Sequence, residues 1–254
     1  MITQQQTPFN ILLIGDDCTD VYQYGTVDRI SPEAPVPVFK YSHKDERGGM
    51  ARNVKANLEA LGCSVSYLCG TPSVKTRLID IRSKQQIVRI DNDNKSQPLL
   101  FPDIEYDLSD YDAIVISDYD KGYISYDLVR ILTEEFTGPI FIDTKKTDLL
   151  QLETCIIKIN EYEYSRLTSL PSEYTDVIVT RGDKGATWKD KVFPASTVEV
   201  ADVCGAGDTF LAALCYRHLN SKGDMSQAIQ FAIQASSVTV QHLGVYAPSL
   251  EELK

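Results

Sequence analysis

The chain has 254 residues, of which 43% are hydrophobic, and 36 acidic against 25 basic side chains give a formal charge of −11. This length suits one α/β domain over residues 1–254 better than two large domains. The negative balance repels phosphodiester backbones and anionic membranes, and therefore argues against nucleic acid and membrane partners.

The six cysteines are scattered without CxxC or Cys/His metal spacing, and there are only three histidines. This pattern indicates reduced thiols rather than a zinc site. The start of the chain, MITQQQTPFN, lacks the apolar stretch of a signal peptide, and the longest apolar runs are too short to cross a bilayer. We therefore expect a cytoplasmic protein.

Short β-branched runs alternate with helical stretches along the chain. The predicted strands are residues 11–15, 113–117, 140–143, 156–159 and 177–180, and the predicted helices are residues 50–61, 126–136, 206–219 and 225–242. This alternation predicts an α/β fold with a mostly parallel central sheet flanked by helices. Ligands bind such sheets beyond the carboxyl ends of the strands. The polar residues at those ends are Asp16, Asp118, Asp143, Asn160 and Thr180.

Two segments do not follow this alternation of strands and helices. Residues 26–41 are proline-rich, and residues 75–91 alternate as a β-hairpin with one apolar face would. Together they predict a small β lid that stands off the main domain.

The strongest chemical signal is the segment DVCGAGD, residues 202–208, which is followed by the apolar helix TFLAALCYRHL. Small residues expose backbone N–H groups at a helix start, where these groups and the helix dipole favour an anion such as a phosphoryl group. The carboxylate of Asp208 could then take a proton from an attacking hydroxyl. The plainer interpretation is an Asp-rich helix cap after a glycine turn.

A second glycine motif, RGGMARN, occupies residues 47–53. The pair Gly48 and Gly49 lets a ligand approach the backbone closely, and Asn53 offers both a donor and an acceptor. The alternative is simply a flexible start to the following helix.

These two motifs, in this order, resemble the signatures of the ribokinase family, also called phosphofructokinase-B-type carbohydrate kinases. The resemblance covers nearly the whole chain and implies a ribokinase-like fold. Within the family, the chain looks most like the D-glycero-D-manno-heptose-7-phosphate kinases. The segments that carry this finer resemblance are GDDCTDVYQYG (15–25), RISPEAPVPV (29–38), SDYDKG (117–122) and IDTKKTD (142–148).

The resemblance implies roles for particular residues. Asp208 would be the catalytic base, and Gly205, Ala206 and Gly207 would form the anion hole. The acceptor sugar would be held by Asp16, Asp20, Gly48, Gly49, Asn53, Arg77 and Asp118.

The resemblance also implies ATP as phosphoryl donor, with Mg²⁺. The ATP-binding residues would be Lys145, Asn160, Thr180, Gly182 and Gly185. Asn160 and Glu163 match an Asn-x-x-Glu element, and Glu163 would hold Mg²⁺ through water. Without that role, Glu163 is an ordinary acid in the first turn of a helix.

Related kinases pair their lids between subunits, so we expect a homodimer through the lid strands. A sugar phosphate needs cations near the sugar, and the candidates are Arg52, Arg77, Arg82 and Arg89, each of which is otherwise a solvated surface charge. The chain departs from the family after Gly70, where it runs almost directly into the hairpin, and at Cys204, where a small or hydroxylated residue is usual.

The favoured hypothesis is an ATP-dependent kinase that phosphorylates the anomeric hydroxyl of D-glycero-D-manno-heptose 7-phosphate to the 1,7-bisphosphate. One alternative keeps the mechanism but uses another sugar, sugar phosphate or nucleoside. Another is a sugar- or nucleotide-binding protein without turnover. A dinucleotide-binding oxidoreductase is disfavoured because no GxGxxG follows the first strand.

Overall fold

The computed structural model describes residues 8–173 and 175–253, so most of the polar start considered above, residues 1–7, lies outside it. The described chain forms one eight-stranded sheet, in the order β12-β11-β10-β9-β8-β7-β1-β4, and one four-stranded sheet, in the order β3-β2-β5-β6. The strands are β1 (Asn10–Gly15), β2 (Asp17–Ile30), β3 (Pro37–Met50), β4 (Ser64–Cys69), β5 (Ser73–Asp80), β6 (Gln86–Asn92), β7 (Ala113–Asp118), β8 (Ile140–Thr144), β9 (Ile156–Asn160), β10 (Asp176–Thr180), β11 (Ala186–Trp188) and β12 (Lys191–Phe193).

The helices alternate with the strands of the larger sheet. They are α1 (Ala51–Ala60), α2 (Tyr126–Glu135), α3 (Glu161–Tyr164), α4 (Ala206–Asn220) and α5 (Met225–Thr239). Strands β4, β1, β7, β8, β9 and β10 are parallel, and β11 and β12 add an antiparallel edge. The predicted mostly parallel α/β sheet is therefore confirmed.

Both faces of this sheet are buried, which is why its strands read as continuous apolar runs rather than as alternating ones. In β1, Ile11 and Leu13 pack into the core that includes α1, α4 and α5. Leu12 and Ile14 pack into the core on the opposite face, which includes α2. The parallel strands all point their carboxyl ends to one edge of the sheet, where the predicted polar residues collect.

The four-stranded sheet is the lid predicted from the sequence, and we call it the lid sheet. It begins at Asp17, directly after β1, and its first hairpin spans β2 and β3, so it is larger than the predicted segments 26–41 and 75–91. Strand β4 runs through three residues into β5, and β4 is an edge strand of the larger sheet. The direct connection expected after Gly70 is thus observed.

Helix α5 ends at Thr239, three residues before the predicted end. The chain turns here because the carbonyl of Val240 accepts hydrogen bonds from the amides of Ala201 and Asp202. This contact ties the end of α5 to the segment that leads into α4. Within the described ranges, no helix is long and apolar enough to cross a bilayer.

Candidate active site

The carboxylate of Asp208 lies in the first turn of α4, and the residue is only 6% exposed. Each of its oxygens accepts a hydrogen bond from a different part of the fold. The side-chain amide of Asn53, in α1, donates to Oδ2 at 2.8 Å. The phenol of Tyr119, in the turn after β7, donates to Oδ1 at 3.0 Å. The two glycine motifs of the sequence therefore meet at one carboxylate.

Burial raises the pKa of Asp208 to about 6. Hydrogen bonding by Asn53 opposes this rise, the nearby charge of Asp143 adds to it, and Lys158 and Tyr119 oppose it. A carboxyl group with such a pKa can accept a proton at neutral pH, because it is mostly ionised there and still basic enough to bind a proton.

The segment that leads into α4 forms a tight turn, and we call residues 202–207 the anion loop. Gly205 adopts φ +79°, and a Cβ there would lie 2.7 Å from the side-chain nitrogen of Asn53. The carboxylate of Asp202 stabilises the loop by accepting hydrogen bonds from the amides of Cys204 at 3.0 Å and Gly244 at 2.9 Å. The first-turn N–H groups of a helix have no partner within the helix, so the loop and α4 offer donors to an anion.

A buried ion pair lies beneath this loop. Lys158 and Asp143 are direct neighbours on β9 and β8, and Lys158 Nζ lies 2.7 Å from Asp143 Oδ2. A Cβ on Gly207 would lie 2.9 Å from Lys158 Nζ, so the ammonium reaches the underside of the anion loop. Our sequence reasoning missed Lys158, although a lysine inside the apolar strand IIKIN was a usable signal.

Lys145, predicted to neutralise ATP phosphate, lies on the same side of the sheet edge. Its ammonium pairs with Glu163 and lies 3.8 Å from Asp143. Burial alone would lower the pKa of Lys145, but Asp143 and Glu163 raise it above its ordinary value. Lys145 is therefore a charged, half-buried cation close to Asp208.

A cavity of about 570 Å³ opens beside the anion loop. It joins three residues predicted to bind ATP, namely Thr180, Gly182 and Gly185, to Ala206 and Gly207 of the anion loop. Its remaining walls are mainly small and apolar, and they are Asp183, Ala195, Ser196, Thr197, Val198, Val200, Val203, Phe210, Ile233, Ser236, Ser237 and Val240. A flat apolar ring and a chain of phosphates would both find matching surfaces there.

The predicted Asn-x-x-Glu element forms a capping box at the start of α3. The Asn160 side chain accepts from the amide of Glu163, and Glu163 Oε2 accepts from the amide of Asn160, both at 2.8 Å. In the described part of the chain, no group of three or more His, Cys, Asp or Glu side chains could hold a metal ion. Glu163 thus contacts Lys145 and the amide of Asn160, and its role towards Mg²⁺ stays a prediction.

Asp16, predicted to bind the sugar, is buried directly after β1. Its Oδ2 accepts from the amides of Tyr119 at 2.8 Å and Lys121 at 3.1 Å. Its Oδ1 is buried without a hydrogen-bond partner among the described residues, and burial raises the pKa of this carboxyl. An acceptor left unpaired in this way is costly unless a ligand supplies the missing donor.

The lid sheet contributes Asp20 and Arg77, which form an ion pair with each other. A Cβ on Gly49 would lie 2.5 Å from Asp20 Oδ2, so this glycine lets the two lid strands and Asp20 fit together. Arg77 and Arg47 both lie over the ring of Tyr22, at 5.3 and 5.1 Å from its centroid. This face of the lid lies near the anion loop, since a Cβ on Gly244 would lie 2.8 Å from Arg47 Nη1 and the amide of Gly244 donates to Asp202 of that loop.

Asp118 does not join the Asp208 group. Its carboxylate accepts from the Thr144 hydroxyl at 2.6 Å and from the amide of Asp120 at 3.0 Å, and it pairs with Lys146 at 3.2 Å. These buried contacts occupy it within the protein, whereas the next residue, Tyr119, reaches the base. The predicted contact of Asp118 with substrate would require it to exchange these partners, and it stays a prediction.

The other three candidate phosphate-binding arginines form ion pairs with other carboxylates. Arg52 pairs with the buried Asp17, Arg82 pairs with Asp28, and Arg89 pairs with Asp91 at 2.8 Å. Gly48 packs against the stem of Arg52, and its predicted contact with the sugar stays a prediction. Arg77 alone of the four contacts the Asp20 carboxylate next to the anion loop.

Residues 139–253 match the family model described as pfkB family carbohydrate kinase. The bifunctional protein HldE of Campylobacter curvus is 31% identical over 96% of this chain, and that of Helicobacter pylori is 30% identical over 96%. The alignments cover 64% and 65% of those relatives, so the chain spans less than two thirds of their length.

Solved structures share the fold at low sequence identity. Ribokinase from Thermotoga maritima superimposes with a TM-score of 0.72 at 18% identity, covering 96% of this chain and 98% of that one. Arabidopsis thaliana ribokinase, solved with ribose and ATP, gives 0.69 at 17% identity, covering 98% and 99%. Phosphofructokinase-2 from Escherichia coli gives 0.72 at 14% identity, covering 96% and 97%.

The fold is that of the ribokinase-like carbohydrate kinases. Residues 139–253 match the pfkB family of carbohydrate kinases, and the resemblance read from the two glycine motifs is confirmed.

Proposed function

We propose that this chain transfers the terminal phosphoryl group of ATP to a hydroxyl of a sugar phosphate, with Asp208 as the general base. The observation that carries the proposal is the placement of a buried, hydrogen-bonded carboxylate in the first turn of α4, directly after a glycine loop whose residues Ala206 and Gly207 line the neighbouring cavity. Phosphoryl transfer requires alignment and charge stabilisation more than covalent chemistry from the protein.

The nucleotide side of the proposal rests on the cavity beside the anion loop. Its apolar walls suit the adenine, and Gly182 and Gly185, both with positive φ, allow the backbone to approach phosphates closely. Lys145, on which the charge of Asp208 acts, could neutralise charge on the transferred group if it exchanges its partner Glu163 for phosphate. Mg²⁺, when bound, would supply further neutralisation of the phosphates, with Glu163 holding it through water.

The acceptor side rests on Asp16, Asn53 and the lid. The unpaired Oδ1 of Asp16 offers an acceptor for a sugar hydroxyl. Arg47 and Arg77 lie on the lid face near the anion loop, and the half-buried Arg77 could exchange Asp20 for a phosphate. Arginine grips phosphate in bidentate fashion, so these two side chains favour a phosphorylated sugar over a neutral one.

Among sugar phosphates we propose D-glycero-D-manno-heptose 7-phosphate, phosphorylated at its anomeric hydroxyl to the 1,7-bisphosphate. The support is the resemblance of segments 15–25, 29–38, 117–122 and 142–148 to heptose-7-phosphate kinases. We further propose a homodimer through the lid sheet. The six free cysteines support a reducing, cytoplasmic location.

A coupled assay of ADP release tests the acceptor, using ATP, Mg²⁺ and a panel of sugars and sugar phosphates. We expect turnover with heptose 7-phosphate and much weaker turnover with the unphosphorylated heptose. Preference for another acceptor would keep the mechanism and overturn the substrate. Thermal stabilisation by ATP and sugar phosphate, without ADP release from any acceptor, would indicate a binding protein instead.

The contribution of Arg77 can be separated with one variant and one control. Replacing it by methionine removes the charge but keeps the bulk, so the KM for a sugar phosphate should rise while the KM for ATP stays unchanged. Arg82→Met is the matched control, because Arg82 pairs with Asp28 on the lid in an exposed position. Equal effects of the two substitutions on acceptor KM would contradict a phosphate contact at Arg77.

A further inference from the structure

Tyr119 lies immediately beyond β7 and presents its hydroxyl to the carboxylate of Asp208. The phenol donates to Oδ1 at 3.0 Å, while Asn53 donates to Oδ2 at 2.8 Å. Because the two donors bind different oxygens of the group, they fix the orientation of the carboxylate plane. Each oxygen still has a lone pair free for an incoming hydroxyl, since a carboxylate offers about four acceptor positions.

Tyr119 is itself held firmly in this position. Its backbone amide donates to Asp16 Oδ2 at 2.8 Å. The ammonium of Lys145 lies 5.1 Å from the centre of its ring, in cation–π geometry. The next residue, Asp120, adopts φ +57°, which turns the chain away sharply after the tyrosine. The contacts of Tyr119 with the rest of the fold thus hold its hydroxyl in place beside Asp208.

We propose that Tyr119 is a positioning residue for the general base, whose hydroxyl orients the Asp208 carboxylate and favours its ionised form. This inference rests on the function proposed above. A hydroxyl that donates to a carboxylate stabilises the ionised form and not the protonated form. Removal of the hydroxyl therefore makes the carboxylate easier to protonate.

Several other groups act on the same carboxylate and must be considered in any test of pH dependence. Asn53 of α1 donates to it, and Lys158 of β9 and Lys145, which follows β8, bring positive charge towards it. Asp143 of β8 brings negative charge. All of these groups remain in place when only the hydroxyl of Tyr119 is removed, so one substitution isolates its contribution.

The test compares Tyr119→Phe with the parent protein and with Tyr126→Phe. Tyr126 is a matched control because it also carries a lysine, Lys146, over its ring, at 5.5 Å, but lies away from Asp208. Loss of one hydrogen bond to a charged group should lower kcat about tenfold or more in Tyr119→Phe. Its acid limb of kcat/KM should also move to higher pH, while the KM for ATP stays unchanged. Tyr126→Phe should follow the parent.

A profile of Tyr119→Phe that superimposes on the parent profile, or that falls equally at every pH without a shift of its acid limb, would overturn the inference. The second readout does not need turnover. Carbon-13 NMR titration of the aspartate carboxyl groups, with the Asp208 signal assigned through Asp208→Asn, should show a higher Asp208 pKa in Tyr119→Phe than in the parent. An unchanged Asp208 pKa would also overturn the inference.

These readouts separate the two proposals. If the parent releases no ADP with any acceptor, the proposed function fails, and the NMR titration still decides whether Tyr119 controls Asp208. If the parent is active and Asp208→Asn is not, the proposed function stands. Parental behaviour of Tyr119→Phe would then contradict only the role proposed for Tyr119.

Discussion

The charge of the Asp208 carboxylate is set by a few identified neighbours. Burial raises its pKa to about 6, and Asn53, Lys158 and Tyr119 prevent a larger rise. At neutral pH the group is therefore mostly ionised, although it is buried. The residue combines two properties that a base for a sugar hydroxyl needs, namely a negative charge and a ready affinity for a proton.

The first prediction concerns pH. As the pH falls through about 6, Asp208 takes up a proton and loses its capacity to act as a base, so kcat/KM should decrease towards acid pH with a midpoint near that value. Steady-state rates of ADP release across a series of overlapping buffers measure this. A flat profile down to about pH 4, the ordinary range for a carboxyl group, would contradict the assignment.

The two glycine motifs of the site could be predicted from the sequence, because the spacing of glycines and other small residues indicates where the backbone turns tightly. The pairing of Asn53 with Asp208 brings two such motifs together across 155 positions of the chain. Tyr119 and Lys158 could not be assigned in this way. Their roles depend on which side of a strand end they face, and a one-residue difference separates Tyr119 from Asp118, whose carboxylate is occupied by Lys146.

At the level of secondary structure, the start of α4 requires a left-handed residue. Gly205 has φ +79°, which an L-residue adopts at a cost of about 1–2 kcal/mol. An added Cβ would also press on Asn53 at 2.7 Å and so disturb the Asp208 carboxylate. Gly205 thus permits the left-handed turn and also leaves room for the Asn53 side chain that orients Asp208.

The second prediction separates these two effects with Gly205→Ala and a matched control, Gly62→Ala. Gly62 has φ +86° with no atom within 4 Å of an added Cβ, so it carries the backbone strain alone. Both variants should lose a similar free energy of unfolding in urea, about 1–2 kcal/mol. Only Gly205→Ala should lose kcat, by about a hundredfold, since small misplacements of catalytic groups have effects of that size. Equal activities in the two variants would refute the proposed contact.

The third prediction concerns the pair that joins β8 to β9. Lys158→Met leaves the Asp143 carboxylate buried beside only Lys145, at 3.8 Å, and should destabilise the fold by about 3 kcal/mol. The double variant Lys158→Met with Asp143→Leu removes both charges and should recover much of this loss. Urea unfolding measures both. Additive losses in the double variant would show that the two side chains do not interact.

The larger sheet was predictable element by element because its strands are continuous apolar runs buried on both faces. All five predicted strands and all four predicted helices are present, and their ends differ from the predicted ones by at most three residues. The lid sheet was less predictable. Its strands alternate, are largely exposed and pair across long gaps, β2 with β5 among them, so their limits depend on pairing and not on local pattern.

At the scale of the whole molecule, the lid sheet has two different faces. Side chains alternate along a strand, so Asp20, Tyr22 and Arg77 lie on the face near the anion loop. Val88 and Ile90 of β6 lie on the other face and are exposed to solvent. Exposed apolar side chains on an edge strand favour association with another chain.

The fourth prediction follows from that face. If the lid sheets of two copies pair, Ile90→Lys should convert a dimer to a monomer, as measured by light scattering after size-exclusion chromatography. Leu100→Lys is the control, because Leu100 is 60% exposed, close to the 55% of Ile90, but does not belong to the lid sheet. A monomeric parent, or a dimer that survives Ile90→Lys unchanged, would contradict pairing through this face.

The chain connects its two sheets through short segments. Strand β4 leads through three residues into β5, so the lid is linked to the edge of the larger sheet both there and at Asp17. The sequence predicted this short connection, because no strand or helix signal separates Cys69 from Lys75. The charges that surround Asp208 could not be predicted in this way, because residues distant in the sequence supply them only in the folded chain.

The most direct measurement is the rate of ADP release by Asp208→Asn at saturating ATP and acceptor. Asparagine keeps the shape of the side chain but cannot accept the proton, so kcat should fall by about 10²–10⁴. ATP should still stabilise the variant against thermal unfolding. The raised pKa means that the buried carboxyl costs folding stability as the pH rises from its ordinary value of 3.8 to about 6, and this loss is complete above about 6, so at neutral pH the variant should be at least as stable as the parent. A kcat close to that of the parent, in a folded variant that binds ATP, would contradict a catalytic base at Asp208.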